Sequence, residues 1–221
     1  MTELTLYNYF RSSTSYRVRI ALHYKNLPFE YQPVHLLSGG GEQHRVDYKN
    51  LNPMAEVPTL GHGSLILSQS MAIIEYLDEV FPHPGLLPRE PQKRARIRQF
   101  CENINSFMHP LTNLKVLQYL ESKHGYTAND KEEWVSVWAK KGFEANENFL
   151  RKSHGRFCFG DEITMADLFL IPQVFSAQRF KMDMSAYPLI AKVNENCLAL
   201  DFFKKAHPLR QIDTPENEKI G

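Results

Sequence analysis

Along the 221-residue chain, apolar positions recur first with the period of strands and later almost only with that of helices. Leu4-Thr5-Leu6-Tyr7-Asn8-Tyr9 alternates and predicts a strand. Ser12-Ser13-Thr14-Ser15 then supplies N-cap residues for a helix carrying Val18, Ala21 and Leu22 at helical spacing, closed by Pro28. Phe29 to His35 predicts a second strand, and Ser38-Gly39-Gly40-Gly41 a mobile loop. Val57-Pro58-Thr59-Leu60 and Leu65-Ile66-Leu67, turning around Gly61 and Gly63, predict a hairpin. A helix follows, with Ile73, Tyr76, Leu77, Val80 and Phe81 on one face. The predicted order is β-α-β, a loop, then β-β-α.

Four prolines at 82, 84, 88 and 91 interrupt the pattern and predict a linker. The expected division is residues 1–82 as an α/β domain, 83–91 as linker and 92–221 as an all-helical domain. In the helical part, Trp134, Trp138, Ala145 and Phe149 share a face of one long helix. Thr164-Met165-Ala166-Asp167 has the form of a capping box, with Asp in place of the usual Glu. The helix it opens, through Leu168, Phe169, Leu170, Ile171 and Val174, is apolar on nearly every side, which predicts the buried centre of that domain.

Composition narrows the function. Lys plus Arg number 26 and Asp plus Glu 25, for a net charge of +1, so no long-range field favours nucleic acid or an anionic membrane. The apolar fraction of 43% and charged fraction of 23% are those of a globular domain. Cys101, Cys158 and Cys197 are odd in number and scattered, which argues against a disulfide framework and for a reducing, cytoplasmic setting. Met1 to Leu6 lacks the basic-then-apolar order of a leader, and Met165 to Phe175 is cut by Asp167 and Pro172, so no membrane span is expected.

Three places are candidates for chemistry. At Phe10-Arg11-Ser12-Ser13-Thr14-Ser15-Tyr16-Arg17-Val18-Arg19 a strand ends in a hydroxyl-rich turn that opens a helix. Free N–H groups, hydroxyls and the helix dipole there suit an anion, a thiolate in particular; the alternative is a helix cap with spare serines. Val57-Pro58 reads either as a cis bond that turns the Val57 backbone toward a peptide-like ligand, or as an edge-strand proline. Gln69 and Ser70 either hold a carboxylate at the next helix N-terminus or cap it. Other features carry less. The basic run Lys93 to Arg98 reads as a solvated helix face, the glycine loop lacks the Gly-Lys-Ser/Thr of a phosphate loop, and the nine histidines show no metal spacing. No G-x-S-x-G hydrolase motif is present.

Ser12-Ser13-Thr14-Ser15-Tyr16-Arg17-Val18-Arg19-Ile20-Ala21-Leu22 closely resembles the signature of zeta-class glutathione transferases, which include maleylacetoacetate and bacterial maleylpyruvate isomerases. The likeness continues through Asn52-Pro53, Val57-Pro58-Thr59-Leu60, Gln69-Ser70, Ala72 to Leu77, Asn113-Leu114, Gly160-Asp161-Glu162, Thr164 to Leu168, Gln178-Arg179-Phe180 and Tyr187-Pro188, over nearly the whole chain.

The resemblance implies a thioredoxin-like N-terminal domain with a helical C-terminal domain, a homodimer and reduced glutathione as cofactor; the histidine spacing implies no metal site. It implies isomerisation of maleylacetoacetate in tyrosine and phenylalanine breakdown, with maleylpyruvate isomerisation or a conjugating or dehalogenating transferase as alternatives. A non-catalytic binding module is the remaining alternative. By resemblance Ser12 contacts the glutathione sulfur, Ser13 is the second hydroxyl, and Thr14, Ser15, Tyr16 and Arg17 are further glutathione contacts. Ser12, Ser13 and Arg17 are the implied catalytic group. Gln43, Val57, Pro58, Gln69 and Ser70 are implied glutathione contacts, joined by His109, Asn113, Leu114 and Lys115 from the helical domain. Arg11, Arg17 and Arg179 are candidates for substrate carboxylates, and arginines 11, 17, 19 and 179 are expected to converge on one anionic site. Thr14 stands where many members have Cys, and His109 where Gln is commoner, a combination closer to the maleylpyruvate isomerase branch.

Overall fold

The computed structural model describes residues 3–220; Met1, Thr2 and Gly221 lie outside it, including the first two residues of the segment read above for leader character. The chain divides into two compact units, Met1–Gly85 with Ala199–Gly221, and Leu86–Leu198.

The first unit is built on a four-stranded sheet of order β2-β1-β3-β4. Strand β1 (Leu4–Asn8) pairs in parallel with β2 (Phe29–Pro33), Leu4 opposite Phe29, and antiparallel with β3 (Thr59–His62), Leu4 opposite His62. The hairpin partner of β3 is β4 (Leu65–Ser68), with Thr59 opposite Ser68. Leu4, Leu6 and Asn8 are buried while Thr5 and Tyr7 are half-buried, as alternation requires. Helix α1 (Ser13–Tyr24) is buried from Ser15 through Leu22, which explains why it shows so little polar-apolar contrast. The loop after β2 is more ordered than its glycines suggest. The His35 N–H donates to Glu42 Oε2 (2.7 Å), the Glu42 N–H returns a bond to His35 O (2.8 Å), and a short helix α2 (Val46–Leu51) follows. Helix α3 (Ser70–Val80) buries Ile73, Ile74 and Leu77, whereas Val80 is exposed.

The second unit comprises α4 (Pro91–Glu102), a π-helical segment Asn103–Met108, and helices α5 (His109–Thr112), α6 (Leu114–His124), α7 (Ala128–Ser153), α8 (Met165–Arg179) and α9 (Pro188–Leu198). Helix α8 is its buried centre, with Met165 through Val174 all shielded from solvent. Asp167 fastens the start of α8. Its Oδ2 accepts from Thr164 N (2.8 Å) and Thr164 Oγ1 (3.2 Å), and its Oδ1 from Cys158 N (2.9 Å). Burial holds its pKa above the usual carboxylate range, with these bonds opposing the shift. On α7, Trp134, Trp138, Ala145 and Phe149 do share a face, but only half-buried; the buried line is Val135, Ala139, Gly142, Phe143, Asn146 and Leu150 beside it. The indoles flank that line, Trp134 Nε1 reaching Leu111 O (2.7 Å), while Gly142 leaves room for Met108, whose Cγ lies only 2.3 Å from where a Cβ would sit.

The helical domain expected over 92–221 therefore loses its last stretch, because Ala199–Gly221 packs with the first unit. Helix α10 (Asp201–Ala206) lies on α1, where Tyr24 and Phe202 meet at 5.1 Å and the buried Arg19 donates from Nε to Ala206 O (3.0 Å). A short helix after other helices carries no sequence mark of the unit it joins. The proline segment is anchored as well: the buried Lys25 Nζ donates to Asp78 Oδ1 (2.8 Å), Phe81 O (2.8 Å) and Pro84 O (2.7 Å). The basic run of α4 lies on a mainly solvated face. Among the described residues no helix is long and apolar enough to cross a membrane.

Candidate active site

Strand β1 delivers the chain to the N-terminus of α1, where Ser12 has extended backbone (φ −65°, ψ 119°) and its Oγ accepts from Ser15 N (3.2 Å). The cap reading is thus correct, yet it uses only part of the hydroxyl. Ser12 Oγ also lies 2.9 Å from Thr14 Oγ1, which donates to Val57 O (3.0 Å). Thr14 has one hydroxyl proton and gives it to Val57, so Ser12 is the donor in their pair. Both hydroxyls are partly exposed, at the positive end of a twelve-residue helix.

The Val57–Pro58 bond is cis. Its segment is braced from behind: Tyr48 Oη and Asn52 Nδ2 each donate to Glu56 O (2.7 Å), and Tyr48 Oη lies 2.9 Å from Thr59 Oγ1. The Val57 N–H finds no acceptor among the described residues, which leaves an N–H beside the hydroxyl pair for a peptide-like ligand. Nothing in the sequence marked Tyr48 as a brace, since a Tyr in a short helix has no distinctive spacing.

At the start of α3, Gln69 adopts φ 73° and ψ 112°, a conformation side chains rarely take, and its side chain makes no cap bond. The cap alternative is therefore not realised. Gln69 is exposed and Ser70 buried, with Arg17 Nη1 donating to Ser70 Oγ (3.2 Å). Together, the open helix N-terminus and a guanidinium behind it form an anion-binding corner. Gln43 is buried; its Nε2 bonds Leu36 O (3.3 Å) while its Oε1 has no partner, leaving an acceptor for a ligand N–H.

The structure removes Arg19 from the expected convergence of arginines. Arg19 is wholly buried and its guanidinium is spent on Ala206 O, Asn8 Oδ1 (2.9 Å), Tyr9 O and Phe10 O (3.0 Å), so it holds the fold. Arg17 is also wholly buried, with Nη1 directed at Ser70 Oγ. Arg11 is partly exposed and pairs with Glu218. Arg179 belongs to the other unit, exposed at the end of α8 with its guanidinium over the Phe180 ring at 5.0 Å. Tyr16, included above among cofactor contacts, is buried against His207 and Arg19, and Ser13 is buried in the first turn. In the helical unit, Asn113 caps α6 by accepting from Val116 N (3.2 Å), with Leu114 half-buried and Lys115 exposed after it; His109 is half-buried at the start of α5.

Burial shields all three cysteines of the chain. None forms a disulfide, and burial pushes the Cys158 and Cys197 thiols up. Any thiolate held at this turn would therefore come from a bound molecule rather than from the chain.

A hydroxyl-rich turn of this kind, on a β-α-β-α-β-β-α unit joined to a helical unit, points to the glutathione transferase class. Residues 2–79 match the family model "Glutathione S-transferase, N-terminal domain" and residues 95–204 the corresponding C-terminal domain model. The mouse maleylacetoacetate isomerase is 45% identical over 95% of this chain and 94% of its own length. A holo maleylpyruvate isomerase, a bacterial zeta-class enzyme, superposes with a TM-score of 0.92 at 42% identity, covering 96% of this chain and all of that one. A maleylacetoacetate isomerase from Anaeromyxobacter dehalogenans with glutathione in its active site superposes at 0.86 with 41% identity, over 97% and 99% of the two chains. The chain belongs to the zeta-class glutathione transferase family, the group of the maleylacetoacetate and maleylpyruvate isomerases.

Proposed function

We propose that this protein is a glutathione-dependent cis–trans isomerase that converts maleylacetoacetate to fumarylacetoacetate. The observation that carries the reading is the Ser12–Thr14 hydroxyl pair at the α1 N-terminus beside the unpartnered Val57 N–H, in a chain without an accessible thiol of its own. The open Val57 N–H and the orphaned Gln43 Oε1 fit a peptide-like cofactor.

Bound glutathione supplies a thiolate that adds to the cis double bond, permits rotation and leaves again. The chain supplies the rest. The Ser12 hydroxyl turns from Thr14 to the sulfur and, with the helix dipole, lowers the thiol pKa. Val57 pairs with the peptide backbone, while Gln69, Ser70 and Arg17 hold the far carboxylate. From the helical unit we assign glutathione contacts to His109, Asn113, Leu114 and Lys115. To Arg11 and Arg179 we assign the carboxylates of the substrate, and N–H and guanidinium groups stabilise the enolate-like charge.

Maleylpyruvate is the second reading, favoured by the 0.92 superposition on a maleylpyruvate isomerase and by Thr14 and His109. Following the absorbance of maleylacetone and maleylpyruvate with and without glutathione tests both, and absence of glutathione-dependent turnover of either refutes the isomerase reading. We also assign a homodimer in the cytoplasm; light scattering showing only the single-chain mass would refute the dimer.

A further inference from the structure

We propose that Glu218 is a specificity-determining residue: its carboxylate occupies Arg11 as an internal competitor, and an acidic substrate must displace it. The proposal rests on the isomerase reading above, in which Arg11 receives a substrate carboxylate.

Arg11 is next in sequence to Ser12, and the isomerase reading assigns its guanidinium a carboxylate of the substrate. Its described charged partner is Glu218, and the two side chains are 31% and 32% exposed, open enough for the pair to part and shielded enough to form. The guanidinium also lies over the Phe10 ring at 5.0 Å, which keeps it in place whether or not Glu218 is present.

Glu218 is delivered by a strap with its own bonds. Asp213 Oδ2 accepts from Phe10 N (2.9 Å) and its Oδ1 from Tyr31 Oη (2.5 Å), fixing the strap to the residue before Arg11. Thr214 Oγ1 donates to Pro208 O (2.7 Å), and Ile220 N to Leu209 O (3.1 Å), so the chain is tied on both sides of Glu218. A carboxylate brought back intramolecularly competes at a high effective concentration. Glu216, two residues earlier, pairs instead with Lys219 at the surface.

The consequence is selective. A substrate carboxylate gains Arg11 only by releasing Glu218, whereas a neutral electrophile does not need Arg11 and meets no competitor. After turnover Glu218 returns and helps the acidic product leave.

The test compares the full-length chain with Glu218→Gln, which keeps size and removes the charge, and with Glu216→Gln as a surface control. Kinetics with glutathione use an acidic diketo substrate and a neutral aromatic electrophile; malonate titrated calorimetrically into glutathione-loaded protein reads Arg11 occupancy without turnover. For a partly exposed pair, Glu218→Gln is expected to lower the KM for the acidic substrate and the malonate Kd by about three- to tenfold. The kcat, glutathione affinity and KM for the neutral electrophile stay unchanged. High salt narrows the difference, and Arg11→Gln in the same chain abolishes it. Removal of residues 217–221, which spares Asp213, gives the same result if Glu218→Gln folds poorly. An acidic KM and malonate Kd that stay constant or rise in Glu218→Gln overturn the proposal. Absence of isomerisation by wild type, with the malonate difference intact, overturns the isomerase reading alone.

Discussion

Replacing Ser12 by Ala separates the two jobs that the structure gives this hydroxyl. As a cap it accepts from Ser15 N at 3.2 Å, a bond whose loss costs about 1 kcal/mol of stability, or about 2–4 °C in Tm for a chain of this size. As thiolate donor it contributes a charge-assisted bond of about 1.5–3 kcal/mol, equivalent to about 1–2 units in the thiol pKa at ~1.36 kcal/mol per unit. The helix N-terminus survives the substitution, so the thiol retains part of its depression. Where the thiol is mostly protonated, each unit costs tenfold in thiolate. The stronger nucleophile recovers nearly half of that on a logarithmic scale, leaving a loss of about 4- to 12-fold in rate. Ultraviolet absorbance of the bound thiolate against pH measures the first effect, thermal unfolding the cap and steady-state turnover the rate. A lower Tm with an unchanged thiol titration and rate would refute the thiolate role and leave Ser12 as a cap, with Thr14, 2.9 Å away, as the next residue to replace.

Three further outcomes follow from other buried polar groups. Asp167→Ala strands the Cys158 and Thr164 N–H groups inside the helical unit, and about 3–4 kcal/mol of stability should vanish in urea unfolding; a loss under 1 kcal/mol would contradict the fastening role. Lys25→Met removes a buried ammonium from Asp78 and the Phe81 and Pro84 carbonyls, which should cost about 3–5 kcal/mol and raise hydrogen exchange in residues 81–85; unaltered exchange there would contradict it. Burial, with Arg210 and Arg19 nearby, pushes His207 down to about 4. Its folded pKa lies below its unfolded value of about 6.5, so the unfolded chain takes up the proton first and stability falls as pH drops from about 6.5 to 4. Discounted for partial exposure, the loss is on the order of 1–2 kcal/mol, and His207→Gln should flatten that part of the stability–pH curve.

How legible the molecule was depended on the range of each interaction. The strands, the hairpin, both major helices of the first unit and the buried helix α8 follow from periods of two and near four, which are local, whereas the order β2-β1-β3-β4 rests on long-range pairing. The Thr164 to Asp167 capping box was readable for the same reason, as its partners are three residues apart. The Ser12 turn was legible as an anion site, but its two readings coexisted because one hydroxyl serves both. Trp134 and Trp138 marked the long helix and a shared face, but not its buried seam, which is made partly of small residues that admit a neighbour such as Met108.

By itself, then, the sequence determined the order of strands and helices, while the borrowed thiol and the positions expected to meet glutathione came from its resemblance to the zeta class. Only tertiary structure decided what each charge does. Arg11, Arg17 and Arg19 look alike within nine residues of chain, yet one faces a glutamate 207 residues away, one stands behind Ser70 and one is consumed by backbone carbonyls. The physical reason is that a guanidinium's role is set by the acceptors around it, and these come from distant segments whose approach no local pattern encodes. The same holds for residues 199–221, whose helix and strap belong to the first unit because Arg19, Phe10 and Arg11 find their partners there.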